Sequence, residues 1–439
     1  MKKAYSLLIS ALVCVCACAE VQTRYVGGDI SMLPKYEQYN SPYKDVYGNN
    51  ISDLLLWFKQ TCGWNTFRVR IFVNPQQVNP KGEADHAVCQ DLAYVTALGQ
   101  RIKAAGAYFM LDFHYSDTWV DALNIQAPAA WKNASNADKA DSVAAYTRRV
   151  LTALNAANAT PDLVQVGNEI MYGVCGIKVS PYDNASTNAN WPAYIELLKA
   201  GCNAVRDVCP EAQIIIHTDR PGNKSYNQYY YQKLIDGNVD YDVIGLSYYP
   251  FWHGNMANLV SAINDLKVKF PNKRVQIVEC AYYFQYWPSA NNVTDTRSTW
   301  ECSIAGQYKF VKNLVDTLKP LDNVDGISYW FPEDAGNGDY VNWTTKAGLV
   351  EENWSNRGFW NENQSTSGHA INKTGAVSGD KAADDVCAPY YMRHFYNGSE
   401  GIEDINAQQA PRCRKILRNY QLLIERPDGS LVSLHGNRL

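Results

Sequence analysis

The chain has 439 residues, 46% of them apolar and 19% charged, enough to bury a large core and too few charges for a disordered polymer. Its 40 Lys and Arg stand against 44 Asp and Glu, a formal net charge of −4, so there is no excess of positive charge to hold phosphate backbones and nucleic acid is excluded as an expected partner. Thirty Tyr and twelve Trp are the unusual feature, because flat rings with one polar edge suit the faces of sugar rings.

Lys2 and Lys3, the apolar stretch from Ala4 to Val15 and the small residues through Ala19 read as an export signal, residues 1–19. The mature protein is therefore expected to be secreted or held at the cell surface. Ala17-Cys18-Ala19 offers a cut before Glu20, while Val15 to Cys18 also resembles a lipoprotein box whose Cys18 would carry lipid. Beyond Ala19 no run reaches the roughly 20 apolar residues of a membrane-spanning helix. Nine cysteines then remain, an odd number, not spaced as zinc ligands; in an oxidising compartment Cys202 with Cys209 and Cys387 with Cys413 are the expected pairs.

Eight runs of strand character follow in order: 25–31, 67–73, 107–114, 163–169, 213–219, 241–249, 274–280 and 324–330. Helix-length segments separate them, with amphipathic spacing over Asp53 to Gln60, Asp91 to Ala105, Asp141 to Ala157, Trp191 to Val208 and Ile304 to Leu318. Regular alternation of this kind gives a parallel sheet covered by helices, and eight units without a Gly-rich phosphate loop favour a closed (β/α)8, or TIM, barrel of the α/β class. Residues 20–382 are assigned to it. Residues 383–439 are read as a short C-terminal appendage: a basic stretch, then two strands, YQLLIE and SLVSL, around the turn signal Arg426-Pro427-Asp428-Gly429.

In such a barrel the chemistry sits at the C-terminal tips of the strands. The fourth run ends in Asn168 and Glu169 and the seventh in Glu279, 110 positions further on, which sets two carboxylates across one cavity. Glycoside hydrolysis needs such a pair, one protonated to donate to the leaving oxygen and one ionised to attack or to activate water. Metal binding at these tips usually brings several His or Asp in concert; His114 and His217 near Asp112 and Asp219 keep that alternative open.

The stretches GGDISMLP (27–34), FRVRIFVNP (67–75), LDFHYSDTW (111–119) with PAAW (128–131), VQVGNEI (164–170), DVIGLSYYPFWHG (242–254) and VECAYYF (278–284) together resemble the endo-β-1,4-galactanases, glycoside hydrolase family 53. The resemblance spans most of residues 25–330 and implies a retaining enzyme that cuts internal β-1,4-galactosyl bonds in the galactan side chains of pectin. It makes Glu169 the acid/base and Glu279 the nucleophile. Asn168 is then placed to bond the sugar 2-hydroxyl, or else caps the strand end, and Arg70 to keep the nucleophile ionised, or else pairs with a structural acid. His114 and Tyr248 would steady the nucleophile or the sugar, and Asp117, Trp119, Trp252, His253 and Trp330 would form the cleft walls.

The resemblance implies a monomer that needs no cofactor or catalytic metal; a structural calcium is allowed by it but not supported by these residues. This sequence departs from the family where Val120 to Leu123 follow Trp119, where Phe331 follows Trp330 in place of an acidic residue, and in the loose match of FWNENQSTSG (359–368). The tail from Arg414 resembles short C-terminal sorting tails of proteins that Gram-negative bacteria export to the cell surface. Two rivals share the strand-tip pattern: another β-1,4-glycanase of the same clan, a mannanase or cellulase, and a glycan-binding surface protein on a disabled barrel, against which the retention of both glutamates argues.

Overall fold

The computed structural model describes residues 23–38, 42–285, 287, 293–330, 332–335, 357–361, 368–378 and 381–396, with the backbone of three later strands. The export signal, Cys18, Phe331, Cys413 and most of the loop between 336 and 367 lie outside the described residues.

Eight parallel strands close into a barrel: β1 (Tyr25–Asp29), β2 (Thr66–Ile71), β3 (Tyr108–Phe113), β4 (Leu163–Val166), β5 (Gln213–Thr218), β6 (Val243–Tyr248), β7 (Arg274–Cys280) and β8 (Val324–Trp330), with β8 pairing back to β1. They coincide with the eight runs read from sequence. Among the described residues seven helices of seven residues or more pack outside: α1 (Leu54–Gln60), α2 (Leu92–Ala104), α3 (Asn136–Ala156), α4 (Trp191–Val208), α5 (Lys224–Asp236), α6 (Met256–Lys269) and α7 (Ile304–Leu318). Six of them begin on a side-chain cap, Asp53, Asp91, Ser135, Asn223, Asn255 and Ser303, each accepting the N–H three residues on and so satisfying one of the amides that a helix start leaves open. Ser135 starts α3 five residues earlier than expected, because the first turn is polar and carries no amphipathic signal.

Alternation along each strand sorts the side chains. Phe109, Leu111 and Phe113 of β3 join the large apolar shell between sheet and helices, while Met110 joins a smaller cluster with Tyr25, Leu163, Ile215, Val243 and Val278, drawn from six strands. The buried polar residues Asp29, Arg68, Asp112, Gln165, His217 and Ser247 follow towards the strand tips.

Residues 383–396, read from sequence as the start of the appendage, lie against the barrel's N-terminal end. Trp64 Nε1 donates to Pro389 O at 2.9 Å, Arg24 Nη1 to Phe395 O at 2.9 Å and Tyr396 OH to Gly63 O at 3.0 Å. Further on, Arg414–Arg418, Gln421–Glu425 and Leu431–Ser433 form an antiparallel three-stranded sheet, so the basic stretch supplies a strand in addition to the two expected.

The expected Cys202–Cys209 disulfide is absent: Cys202 is buried within α4 and Cys209, its C-cap, donates Sγ–H to Asn155 Oδ1 at 3.5 Å. Seven residues of helix separate two Cα atoms by about 10 Å, beyond the roughly 7 Å a disulfide spans. Cys387 is likewise free and donates to Asn372 O at 3.4 Å. No described helix is long and apolar enough to cross a membrane.

Candidate active site

The chain leaves β4 through Gly167, at φ 96°, and Glu169, at φ 46°. Both stand in the left-handed region, which a glutamate occupies only at a cost of roughly 1–3 kcal/mol. A Cβ on Gly167 would lie 2.6 Å from Ile170 Cγ2, so only glycine admits this turn. The turn aims the Glu169 N–H at His217 Nδ1, 3.3 Å away, and its carboxylate at Ser247, whose Oγ–H donates to Oε1 at 2.5 Å.

His217, buried on β5, links these contacts. Burial and then the Arg68 cation push its pKa well below the ordinary value, so the ring is neutral. Gln165 Nε2 donates to Nδ1 at 2.8 Å, which leaves the proton on Nε2 for Ser247 Oγ, also at 2.8 Å. The chain of bonds therefore runs from His217 through Ser247 to Glu169.

Glu279, 6% exposed, ends β7 where the register with β6 slips: Leu246 pairs with Ile277 and Ser247 with Glu279, passing over Val278. This irregularity re-aims the glutamate and sets Ser247 abreast of it. Arg68 Nη2 lies 3.0 Å from Glu279 Oε1, and Tyr249 OH donates to Oε2 at 2.7 Å. The same guanidinium binds Asp29 at 2.7 Å, Asp112 at 2.8 Å and Asn168 Oδ1 at 2.8 Å. One buried cation thus ties together the tips of four other strands.

The two glutamates differ in consequence. Burial, then the charges of Glu279 and Asp219, hold the Glu169 carboxyl well above the usual range against the Ser247 bond. Burial also raises Glu279, but Arg68 and the Tyr249 hydroxyl oppose it. Asp112 shows how strong that cation is: burial pushes it up, yet Arg68 and His114 hold it below its ordinary value.

The other residues singled out from sequence are distributed unevenly. Asn168 is buried, its Nδ2 donating to Val120 O at 2.7 Å. Arg70 does not reach Glu279; it donates to Ala87 O at 3.0 Å, lies 3.5 Å from Asp29 and stacks over Trp119 at 4.4 Å, and Arg68 holds the place expected for it. Tyr248 points away from the mouth, its hydroxyl on Gly254 O at 3.0 Å and its ring against Phe310 of α7, because alternation and the β6 irregularity turn Ser247 and Tyr249 inward. His114 is buried between Asp112, at 3.2 Å, and the Val120 amide, at 2.9 Å. Asp117 accepts from the Ala129 amide at 2.8 Å, and His253 accepts from the Tyr249 amide at 3.0 Å.

Trp119, Trp330 and Tyr249 form an edge-to-face aromatic series, each neighbouring pair of ring centres 6.4 Å apart, with the Arg357 guanidinium 4.8 Å over Trp330. Trp252 is 37% exposed beyond it. Read from sequence, Arg68, Ser247 and Tyr249 are strand-tip residues with no assigned role and His217 is only a possible metal ligand; Gln165 is missed altogether. The signal available was inward alternation on strands already identified. Among the described residues no group of three or more His, Cys, Asp or Glu is arranged to hold a metal ion.

Comparison with known proteins follows the same outline. The model of glycosyl hydrolase family 53 matches residues 25–372. An arabinogalactan endo-beta-1,4-galactanase of Cellvibrio japonicus is 32% identical over 321 residues, 70% of this chain and 80% of that protein. Among solved structures, the GH53 catalytic domain of Ignisphaera aggregans superposes with a TM-score of 0.68 at 26% identity, covering 87% of this chain and 98% of the other. A fungal beta-1,4-galactanase gives 0.64 at 25% identity, covering 80% and 97%.

Proposed function

The chain belongs to glycosyl hydrolase family 53, and from that premise we propose that it is a retaining endo-β-1,4-galactanase with Glu169 as general acid/base and Glu279 as nucleophile. The observation that carries the reading is the unequal setting of two strand-tip carboxylates in one cavity. Glu279 faces a cation and a phenol that favour its ionised form; Glu169 sits on a neutral His217–Ser247 chain beside negative charges that favour its proton. The names borne by the Cellvibrio and fungal relatives give the substrate class, β-1,4-galactan.

In the first step Glu279 attacks the anomeric carbon as Glu169 passes its proton to the departing glycosidic oxygen, leaving a glycosyl ester on Glu279. Glu169, now ionised, takes a proton from water, which attacks the same carbon and frees Glu279, so the anomeric configuration is retained. In this reading Asn168 bonds the 2-hydroxyl through the N–H of Nδ2 that Val120 O leaves open, and Trp119 and Trp330 carry sugar faces. The mechanism needs no cofactor. We further infer a monomer, exported through residues 1–19 and either released or held at the surface through Cys18 or the C-terminal tail, acting on the galactan side chains of pectin.

Replacing Glu169 by Ala tests the assignment. Cleavage of galactan should fall roughly 10²–10⁴-fold, the usual worth of a general acid. An aryl galactoside whose phenolate leaves unaided should still form the glycosyl ester, and azide should release it as β-galactosyl azide. If Glu279→Ala gave the β-azide instead and Glu169→Ala gave none, the roles would be reversed.

A further inference from the structure

At the end of the barrel where the strand tips lie, a cleft of about 510 Å³ opens between the segments that follow β5 and β6. Its size falls within the usual range of small-molecule sites. Arg220, Asn223, Lys224, Trp252, His253 and Asn258 line it, and no carboxylate is among the lining residues although the chain as a whole is acidic. His253 brings no charge, since burial, then Arg220, push its pKa down to about 3.

Arg220 is held from one side only. Its Nε lies 3.4 Å from Asp219 Oδ2 and 3.5 Å from the Tyr172 hydroxyl, and its guanidinium carbon sits 5.6 Å over the Tyr172 ring. Among the described residues neither Nη group has a protein partner, so the fork is fixed at its stem and open at its end. That is the arrangement in which an arginine takes a carboxylate with two parallel bonds. Lys224, exposed at the start of α5, makes no ion pair among the described residues. Trp252, 37% exposed, adds a flat apolar face to the lining of the same cleft.

Position gives the cleft its part in the reaction. The Arg220 guanidinium lies over Tyr172, which closes the single turn Ile170–Tyr172 that follows directly on Glu169. A general acid hands its proton to the leaving group, so the sugars beyond the broken bond must extend on the Glu169 side.

We propose that this cleft binds an acidic sugar of the leaving-group portion of the substrate, a uronate-type residue whose carboxylate is taken by the open end of Arg220 and by Lys224 while its ring lies on Trp252. The inference rests on the hydrolase reading above and adds to it a preference for chains whose reducing end is acidic.

Two matched pentasaccharides test it with the full-length enzyme: one all β-1,4-galactose, the other ending at its reducing end in galacturonic acid. A charge-assisted contact should raise kcat/KM for the acidic substrate roughly tenfold over the neutral one at low ionic strength. The advantage should shrink as salt is added, and the bond broken should lie at a fixed number of units from the acidic end. In Arg220→Gln and Lys224→Gln the ratio of the two kcat/KM values should fall towards one; the lysine variant keeps the test usable should the arginine variant misfold. Equal cleavage of both substrates by the unaltered enzyme, or a ratio that persists in either folded variant, overturns the proposal and leaves the galactanase reading standing. Cleavage of neither removes both.

Discussion

Protonation of two like residues sets the working pH, and its sign follows from their surroundings. Glu169 acts when protonated, so activity is lost as pH rises through its raised pKa; Glu279 acts when ionised, so activity is lost as pH falls through its own. Asp219 is a third buried carboxyl, pushed up to about 6 by burial with Arg220 opposing, and above that pH its charge helps to keep the proton on Glu169. Asp219→Asn removes that charge. The alkaline limb of the kcat/KM profile should move to lower pH by more than the acid limb moves, because burial, Arg68, the Tyr249 hydroxyl, Asp112 and Asp29 are the leading influences on Glu279. A variant harmed only in folding would lose height with both limbs in place. At this scale sequence was a partial guide. It located both glutamates, but Arg68 and Arg70 share one face of β2 and nothing in FRVRIFV says that the deeper one reaches Glu279. Nor could it separate Tyr248 from Tyr249, since the β6–β7 irregularity that turns Tyr249 inward depends on a neighbour across the sheet.

Strands and helices were more legible, because period and length are properties of a segment by itself. The eight strands and the five helices set out from sequence appear where their patterns lie, while α5, with four tyrosines and two lysines in KSYNQYYYQKLID, has an apolar stripe blurred by amphipathic rings. What the sequence leaves unexplained at this level is a close approach. Gly27 of β1 faces Thr66 of β2, and a Cβ there would stand 1.6 Å from Thr66 O. Gly27→Ala must pry β1 from β2 near Asp29, which anchors Arg68 at 2.7 Å. Overpacking of this kind should cost about 3 kcal/mol in denaturant unfolding, and kcat should fall as the Arg68–Glu279 contact loosens. Unchanged stability would mean that the strands tolerate the separation.

For the whole molecule, closure of the barrel followed from counting eight alternating units, but where the cooperative unit ends did not, because the contacts that decide it join residues more than 300 positions apart. Arg24, which leads into β1, is bonded to Phe395 O and to Lys319 O and stacks 4.6 Å over the Phe395 ring, so residues 383–396 fasten the first strand to the turn that follows α7. Trp64 is fully buried, stacked 4.1 Å from Phe58, with its N–H on Pro389 O. A mature chain ended at Ala382 would uncover this end of the barrel. It would leave the Trp64 N–H without its carbonyl partner and take from Arg24 its bond to Phe395 O, at about 1–3 kcal/mol each, beside the apolar surface newly exposed at about 25 cal/mol per Å². A chain ended after Tyr396 keeps all of these contacts. Thermal unfolding should therefore drop far more between the chains ended at 396 and 382 than between the full-length chain and the one ended at 396. Equal drops would place the end of the folded unit in the tail; no drop at 382 would make residues 383–396 an attachment that the barrel does not need.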